Sequence, residues 1–128
     1  MRLLLLLLLG FVSACQSDKP NSTAAVNASR DLLIDRVFWQ PEQNQSQHTR
    51  VNQHKFAITN TSLQTGYRRI TVRFDYYDQH YHWLDSAIYT VNQSIEPRSA
   101  IRIDSVQTGK ANPATRSATV TVLRAESE

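Results

Sequence analysis

Cysteine is almost missing: Cys15 is the single one among 128 residues, which excludes an intrachain disulfide and any zinc site built on paired thiolates. A domain on this chain must rest on its apolar core alone. Glycine occurs three times, too few for a phosphate-cradling loop, so hairpins are expected to turn on Asn, Asp and Ser. There is no G-x-S-x-G elbow. Pairs such as Asp75 and Asp78, or a set such as Ser86, His82 and Asp85, are what chance assembles among 11 acidic residues and 4 histidines. No catalytic residue and no cofactor is therefore assigned, and no enzyme is expected. The formal charge of +3 is too small for the electrostatic footprint of a nucleic-acid binder, although it suits a protein near anionic envelope surfaces.

What is present begins with Arg2, a block of seven leucines from Leu3 to Leu9, and then Val12-Ser13-Ala14-Cys15. A cationic start, an apolar stretch and small residues before a thiol read as a secretory signal. Against a membrane-spanning helix stands the length of the run, since Leu3 to Val12 is about 10 residues where a span needs about 20. The final four residues resemble the lipobox of bacterial lipoproteins, in which an aliphatic residue and two small residues precede the thiol that takes a diacylglyceryl group. That resemblance implies cleavage after Ala14 and a lipid on Cys15. An ordinary secretory signal would instead leave Cys15 as a free thiol in an oxidising compartment. Gln16 stands where aspartate retains proteobacterial lipoproteins in the inner membrane, which favours the outer membrane, facing the periplasm.

Residues 1–14 are thus read as a signal peptide and residues 15–30 as a lipidated N-terminus with a flexible linker. The segment from Gln16 to Arg30 holds few large apolar residues and no period of either kind, so it cannot offset its own ordering entropy. About 15 such residues reach roughly 20 Å as a coil and at most about 50 Å when straight. Residues 31–128 suffice for one domain with a real core.

From Asp31 the period becomes two. Leu33, Val37 and Trp39 share one face of a first strand, and Leu32, Ile34 and Phe38 the other, so both faces are expected to meet apolar material. The polar run from Pro41 to Thr49 is expected to end that strand. His54, Phe56 and Ile58 alternate with Gln53, Lys55 and Ala57 in a second strand. In the third, Ile70, Val72, Phe74 and Tyr76 form an apolar face opposite Arg69, Thr71, Arg73, Asp75 and Tyr77. A fourth strand from Tyr81 to Val91 places His82, Leu84, Ser86 and Ile88 on one side, with Tyr81, Trp83, Asp85, Ala87, Tyr89 and Val91 on the other. Ile101 and Ile103 mark a fifth strand, Thr108 to Pro113 a loop, and Ala118, Val120 and Val122 a sixth. About six or seven strands without a convincing helix predict an all-β, antiparallel sandwich.

The run Phe74-Asp75-Tyr76-Tyr77-Asp78 resembles the signature of the FxLYD family, with Tyr76 in place of leucine. Ile58-Thr59-Asn60-Thr61-Ser62, Tyr67, and Ile95-Glu96-Pro97 with Ile101 resemble further elements of that family. The resemblance implies a small immunoglobulin-like β-sandwich of a cell-envelope protein and brings no catalytic residues. A looser resemblance of Phe74 to Asp78 joins the chain to short periplasmic lipoproteins with a Tyr-x-Phe-x-Trp-Tyr-Asp strand. In the residues' own terms, Phe74 would anchor the core and Asp78 would accept backbone N–H groups at a strand end.

Four aromatics and two histidines crowd the eight residues from Tyr76 to Trp83. Tyr77, His80, Tyr81, His82 and Trp83 are the candidate binding residues, because aromatics at a loop end bring contact area at small entropy cost. The competing reading puts Tyr76 and one of Tyr81 or Trp83 in the core. His80 and His82, two apart, would point the same way in a strand, but two donors do not make a metal site and none is assigned. Arg68, Arg69 and Arg73, joined by Arg98 and Arg102, read as a solvated outer face; contact with phosphate-bearing lipid or an acidic partner is the alternative. The expected partners are a membrane, through the N-terminal lipid, and another envelope protein. A glycan or metal at the aromatic hairpin is the competing function.

Overall fold

The structure, a computed structural model, describes residues 27–46 and 48–128; the expected signal, the lipid attachment at Cys15 and residues 16–26 of the expected linker lie outside them. A helical turn over 27–31 leads into six strands. They are β1 (Leu32–Asn44), β2 (Thr49–Asn60), β3 (Tyr67–Tyr77), β4 (Trp83–Val91), β5 (Ala100–Lys110) and β6 (Ser117–Ser127). All pairings are antiparallel, in two three-stranded sheets ordered β1-β2-β5 and β4-β3-β6. In immunoglobulin lettering this is A-B-E against C′-C-F. The expected antiparallel sandwich is thus observed, with six strands.

β2 and β3 are the central strands, and their inward residues make the core. Phe56 and Ile58 of β2 meet Ile70, Val72, Phe74 and Tyr76 of β3, all buried, with Val106, Ile103 and Val122 closing the flanks. Phe74 stacks on His54 with ring centroids 3.7 Å apart and takes the edge of Phe56 at 5.8 Å. Ala28 is fully buried in the same core, so residues 27–30 belong to the domain and correct the expected linker boundary at 30.

Four other expectations change, two of them through bulges. In β1, Arg36 and Val37 oppose the single residue Phe56, and Arg36 takes a left-handed φ of 51°. One extra residue exchanges the faces. Leu32, Ile34, Trp39 and Pro41 therefore lean inward, while Leu33, Val37 and Phe38 are exposed. β1 also runs on to Asn44 through the polar stretch, and β5 runs to Lys110 through part of the expected loop. A bulge at Leu84 does the same in β4, where Tyr76 opposes Asp85 but Tyr77 opposes Trp83. The turns lean on Asn, Asp and Ser as expected, although these residues do not take the left-handed positions, which fall to Arg36, His48, Arg69, Tyr81 and Arg98. Asn, Asp and Ser instead cap turns with their side chains, as Asn44, Ser62, Asp78 and Asn112 do.

The antiparallel run of every strand gives the sandwich two ends. One end gathers the helical turn 27–31, the β2–β3 and β4–β5 loops, and Glu128. Asp31 accepts the Tyr67 hydroxyl at 2.7 Å and Arg30 at 3.0 Å, and Thr61 donates to the Asp31 carbonyl. Asn60, fully buried, lies within 2.8–3.2 Å of the carbonyls of Thr65, Ile95 and Glu96. The other end gathers the β1–β2, β3–β4 and β5–β6 loops. The 11 residues of β3 separate the two by about 35 Å.

Phe74→Ala is expected to lower unfolding free energy by about 3–5 kcal/mol, as a buried aromatic replaced by a cavity does, whereas Phe38→Ala, on the exposed side of the β1 bulge, should cost less than about 1 kcal/mol. Urea unfolding followed by circular dichroism reads both.

Candidate functional site

The β3–β4 hairpin divides its aromatics between the two faces of the sheet. Tyr76 points inward and is buried. Its hydroxyl meets His54 Nε2 at 2.8 Å and also Thr108 Oγ1. His54 Nδ1 finds no partner among the described residues. A bare lone pair costs less to bury than an orphaned N–H, so the tautomer with a proton on Nε2 is assigned. His54 then donates to Tyr76 and Tyr76 to Thr108. Burial pushes the His54 imidazole down to about 4 and the Tyr76 phenol up to about 12. His54 and Tyr76 are buried and Thr108 half-buried at the end of this chain of polar groups, which positions β2, β3 and β5 on one another.

Outward, Tyr77 stands opposite Trp83. The Trp83 indole donates to Asp75 Oδ1 at 3.2 Å, and Arg73 Nε donates to Asp75 Oδ2 at 3.0 Å. Asp75 is only 9% exposed although it sits on the outer face, because these two side chains cover it. Trp83 is thereby fixed while remaining 59% exposed. Ile88, 65% exposed, stands opposite Arg73. Neither Tyr81 nor Trp83 is core, which corrects the competing reading; Tyr76 is.

The turn itself is built on Asp78. Its Oδ1 accepts the backbone N–H of His80 at 2.8 Å and of His82 at 2.9 Å, as expected for an acid at a strand end. The His82 and His80 amides hold its carboxyl below the usual carboxylate range. Tyr81, at φ 61°, projects from the tip and is 81% exposed. His80 and His82 lie in this turn rather than in a strand, with ring centroids 6.1 Å apart. His82 Nδ1 is 3.3 Å from Asp78 Oδ2. Among the described residues no three His, Cys, Asp or Glu side chains are grouped to hold a metal ion.

The candidate residues thus separate: Tyr77 and Trp83 share the outer face, while His80, Tyr81 and His82 occupy the tip. Arg73, Asp75 and Ile88 complete the outer patch. Their alternation with the core residues of β3 was readable, but the bulge that turns Trp83 toward Asp75 leaves no local mark in the sequence. Of the basic residues, Arg68 and Arg69 pair with Glu126 and Arg102 with Asp104, so they form no free cationic face.

Two titrations follow. An unfolded chain protonates His54 near 6.5 while the folded one resists until about 4, so its contribution is whole above pH 6.5 and is lost as pH falls toward 4. At about 1.4 kcal/mol per pH unit this amounts to about 3 kcal/mol. His54→Phe should flatten the pH dependence of stability across that window, whatever its effect at neutral pH. Burial and then the Asp31 hydrogen bond raise Tyr67 to about 12, so Tyr67→Phe and Tyr76→Phe should each delete one phenol ionising near pH 12 from an absorbance titration.

Comparison of the chain with protein-family models, curated proteins and solved structures finds no match.

Proposed function

We propose that the protein is a lipid-anchored, non-catalytic binding or assembly module of a bacterial cell envelope, tethered through Cys15 and meeting another envelope protein at the outer patch and open edge of β4. The observation that carries the reading is the state of that edge. β4 holds one charge, Asp85, in nine residues. The other edge strands are guarded: β1 by Asp35, Arg36, Pro41 and Glu42, β5 by Arg102, Asp104 and Lys110, and β6 by Arg124 and Glu126. Charges, proline and bulges on an edge discourage strand pairing. An edge that carries no proline, only Asp85 and a single bulge at Leu84 near its start, and that lies beside a fixed Trp83 and an exposed Ile88, suits strand addition with aromatic anchoring.

Polarity supports the same reading. The helical turn at 27–31, where a tether would join, lies at the end opposite the β3–β4 hairpin. Residues 16–26 as the tether span at most about 40 Å. The hairpin would then face away from the membrane that holds the lipid, and Gln16 favours the outer membrane, periplasmic side. The FxLYD resemblance enters at the level of fold: Phe74 and Tyr76 are core, Asn60 ties three loop carbonyls, and Asp78 closes the hairpin. A glycan is the second reading, favoured by one feature, the exposed Trp83 held by Asp75.

A photo-crosslinking side chain at Ile88 or Tyr81 in living cells should yield one adduct of discrete mass, absent when the probe stands at Leu63 on the opposite end. Trp83→Ala should reduce that adduct severalfold while the fold persists. Equal adducts from Leu63 and Ile88 would contradict the proposal. Intact mass of the membrane fraction should show acyl chains on Cys15, and Cys15→Ser should release the protein to soluble extract.

A further inference from the structure

The end of the sandwich that carries the hairpin also holds a cleft of about 340 Å³ between the β1–β2 turn and the β5–β6 loop. We infer that this cleft binds a small organic anion, a carboxylate or phosphate carried on a ring or other apolar body. The inference does not depend on the anchor or on the β4 edge.

Its floor is Trp39 with Pro41, and its rim carries His48, Arg50, Lys110 and Arg116. No carboxylate lines it. Among the described residues Arg50, Lys110 and Arg116 take part in no ion pair, whereas Arg30, Arg68, Arg69, Arg73 and Arg102 each lie 3.0–3.3 Å from an acid. Three cations that line one cleft without an acid partner repel one another, and a bound anion offsets that repulsion. Guanidinium groups match carboxylate and phosphate geometry through paired N–H donors.

The walls are held before any ligand arrives. The Trp39 indole donates to Asn52 Oδ1 at 2.9 Å, and Asn52 in turn donates to the Gly109 carbonyl. Ala111 N–H donates to the Arg50 carbonyl at 2.8 Å and Arg116 N–H to the Tyr77 carbonyl at 2.8 Å, tying the β5–β6 loop to the start of β2 and the end of β3. Arg116 Nη1 donates to the carbonyls of Pro113 and Thr115 at 2.8 and 2.9 Å, which fixes the charge at the cleft's edge. The volume falls at the lower end of the range for small-molecule sites, about 300–1,000 Å³. The apolar floor demands a body and the cationic rim demands a negative head.

The test uses the full chain in an uncharged detergent with Trp83→Phe, leaving Trp39 as the only indole. Phenyl phosphate and benzoate should each change Trp39 emission saturably in the millimolar range, and the tighter of the two identifies the anion; benzyl alcohol, their uncharged counterpart, should not. Amide signals of Lys110 and Ala111 should shift along the same curve. Arg50→Gln with Lys110→Gln, or Lys110→Gln alone if the pair unfolds, should weaken binding about tenfold or more, as loss of about 1.4 kcal/mol or more does. Absence of saturation by either anion, equal binding of benzyl alcohol, or unchanged affinity in a folded charge variant would overturn the inference.

Discussion

The contact on which the molecule depends is the face-to-face packing of β2 against β3, where Phe74 lies on His54 and meets the edge of Phe56. Each sheet has only three strands, so each has one strand with neighbours on both sides. When those two strands pack, the remaining four become edges, and every feature of functional interest lies on an edge or at an end. A chain without disulfides has nothing else to hold such a small sandwich together. Hence the buried polar groups are placed with care: His54, Tyr76 and Thr108 link both sheets at one end, and Asp31, Tyr67 and Asn60 link the helical turn and loops at the other.

That arrangement makes the molecule polar in the geometric sense. One end is occupied by its own chain, with the carbonyls of Asp31, Thr65, Ile95 and Glu96 engaged by the side chains of Asn60, Thr61 and Ser99. The opposite end offers exposed aromatics, a turn organised by one carboxylate, and a cationic cleft. The proposed tether belongs to the first and the proposed recognition surfaces to the second. A module that holds on with one end and binds with the other needs no moving part, and rigid loops limit the entropy lost on binding.

How much was legible in the sequence follows from where parity survives. β3 alternates without interruption from Ile70 to Tyr76, so its core face, the anchoring role of Phe74 and the cap at Asp78 could all be read residue by residue. β1 and β4 alternate as well, but Arg36-Val37 and Leu84 shift the register. A bulge is a property of two paired strands, not of one segment. The two tryptophans were therefore placed on the wrong faces: Trp39 floors a cleft inside the sandwich end, and Trp83 lies outside over Asp75. The cleft had no local signal at all, because its cations come from β2, β5 and the β5–β6 loop and meet only in the fold. Ala28 was hidden for a similar reason; a small residue in a polar stretch carries no period, yet it is fully buried in the core.

Amide hydrogen exchange tests the primacy of the β2–β3 pairing most directly. The slowest amides, exchanging only through global unfolding, should lie in β2 from His54 to Ile58 and in β3 from Ile70 to Tyr76, with β1, β4 and the hairpin loops opening at lower free energy. Protection highest in an edge strand, or β2 and β3 opening independently of one another, would contradict the account.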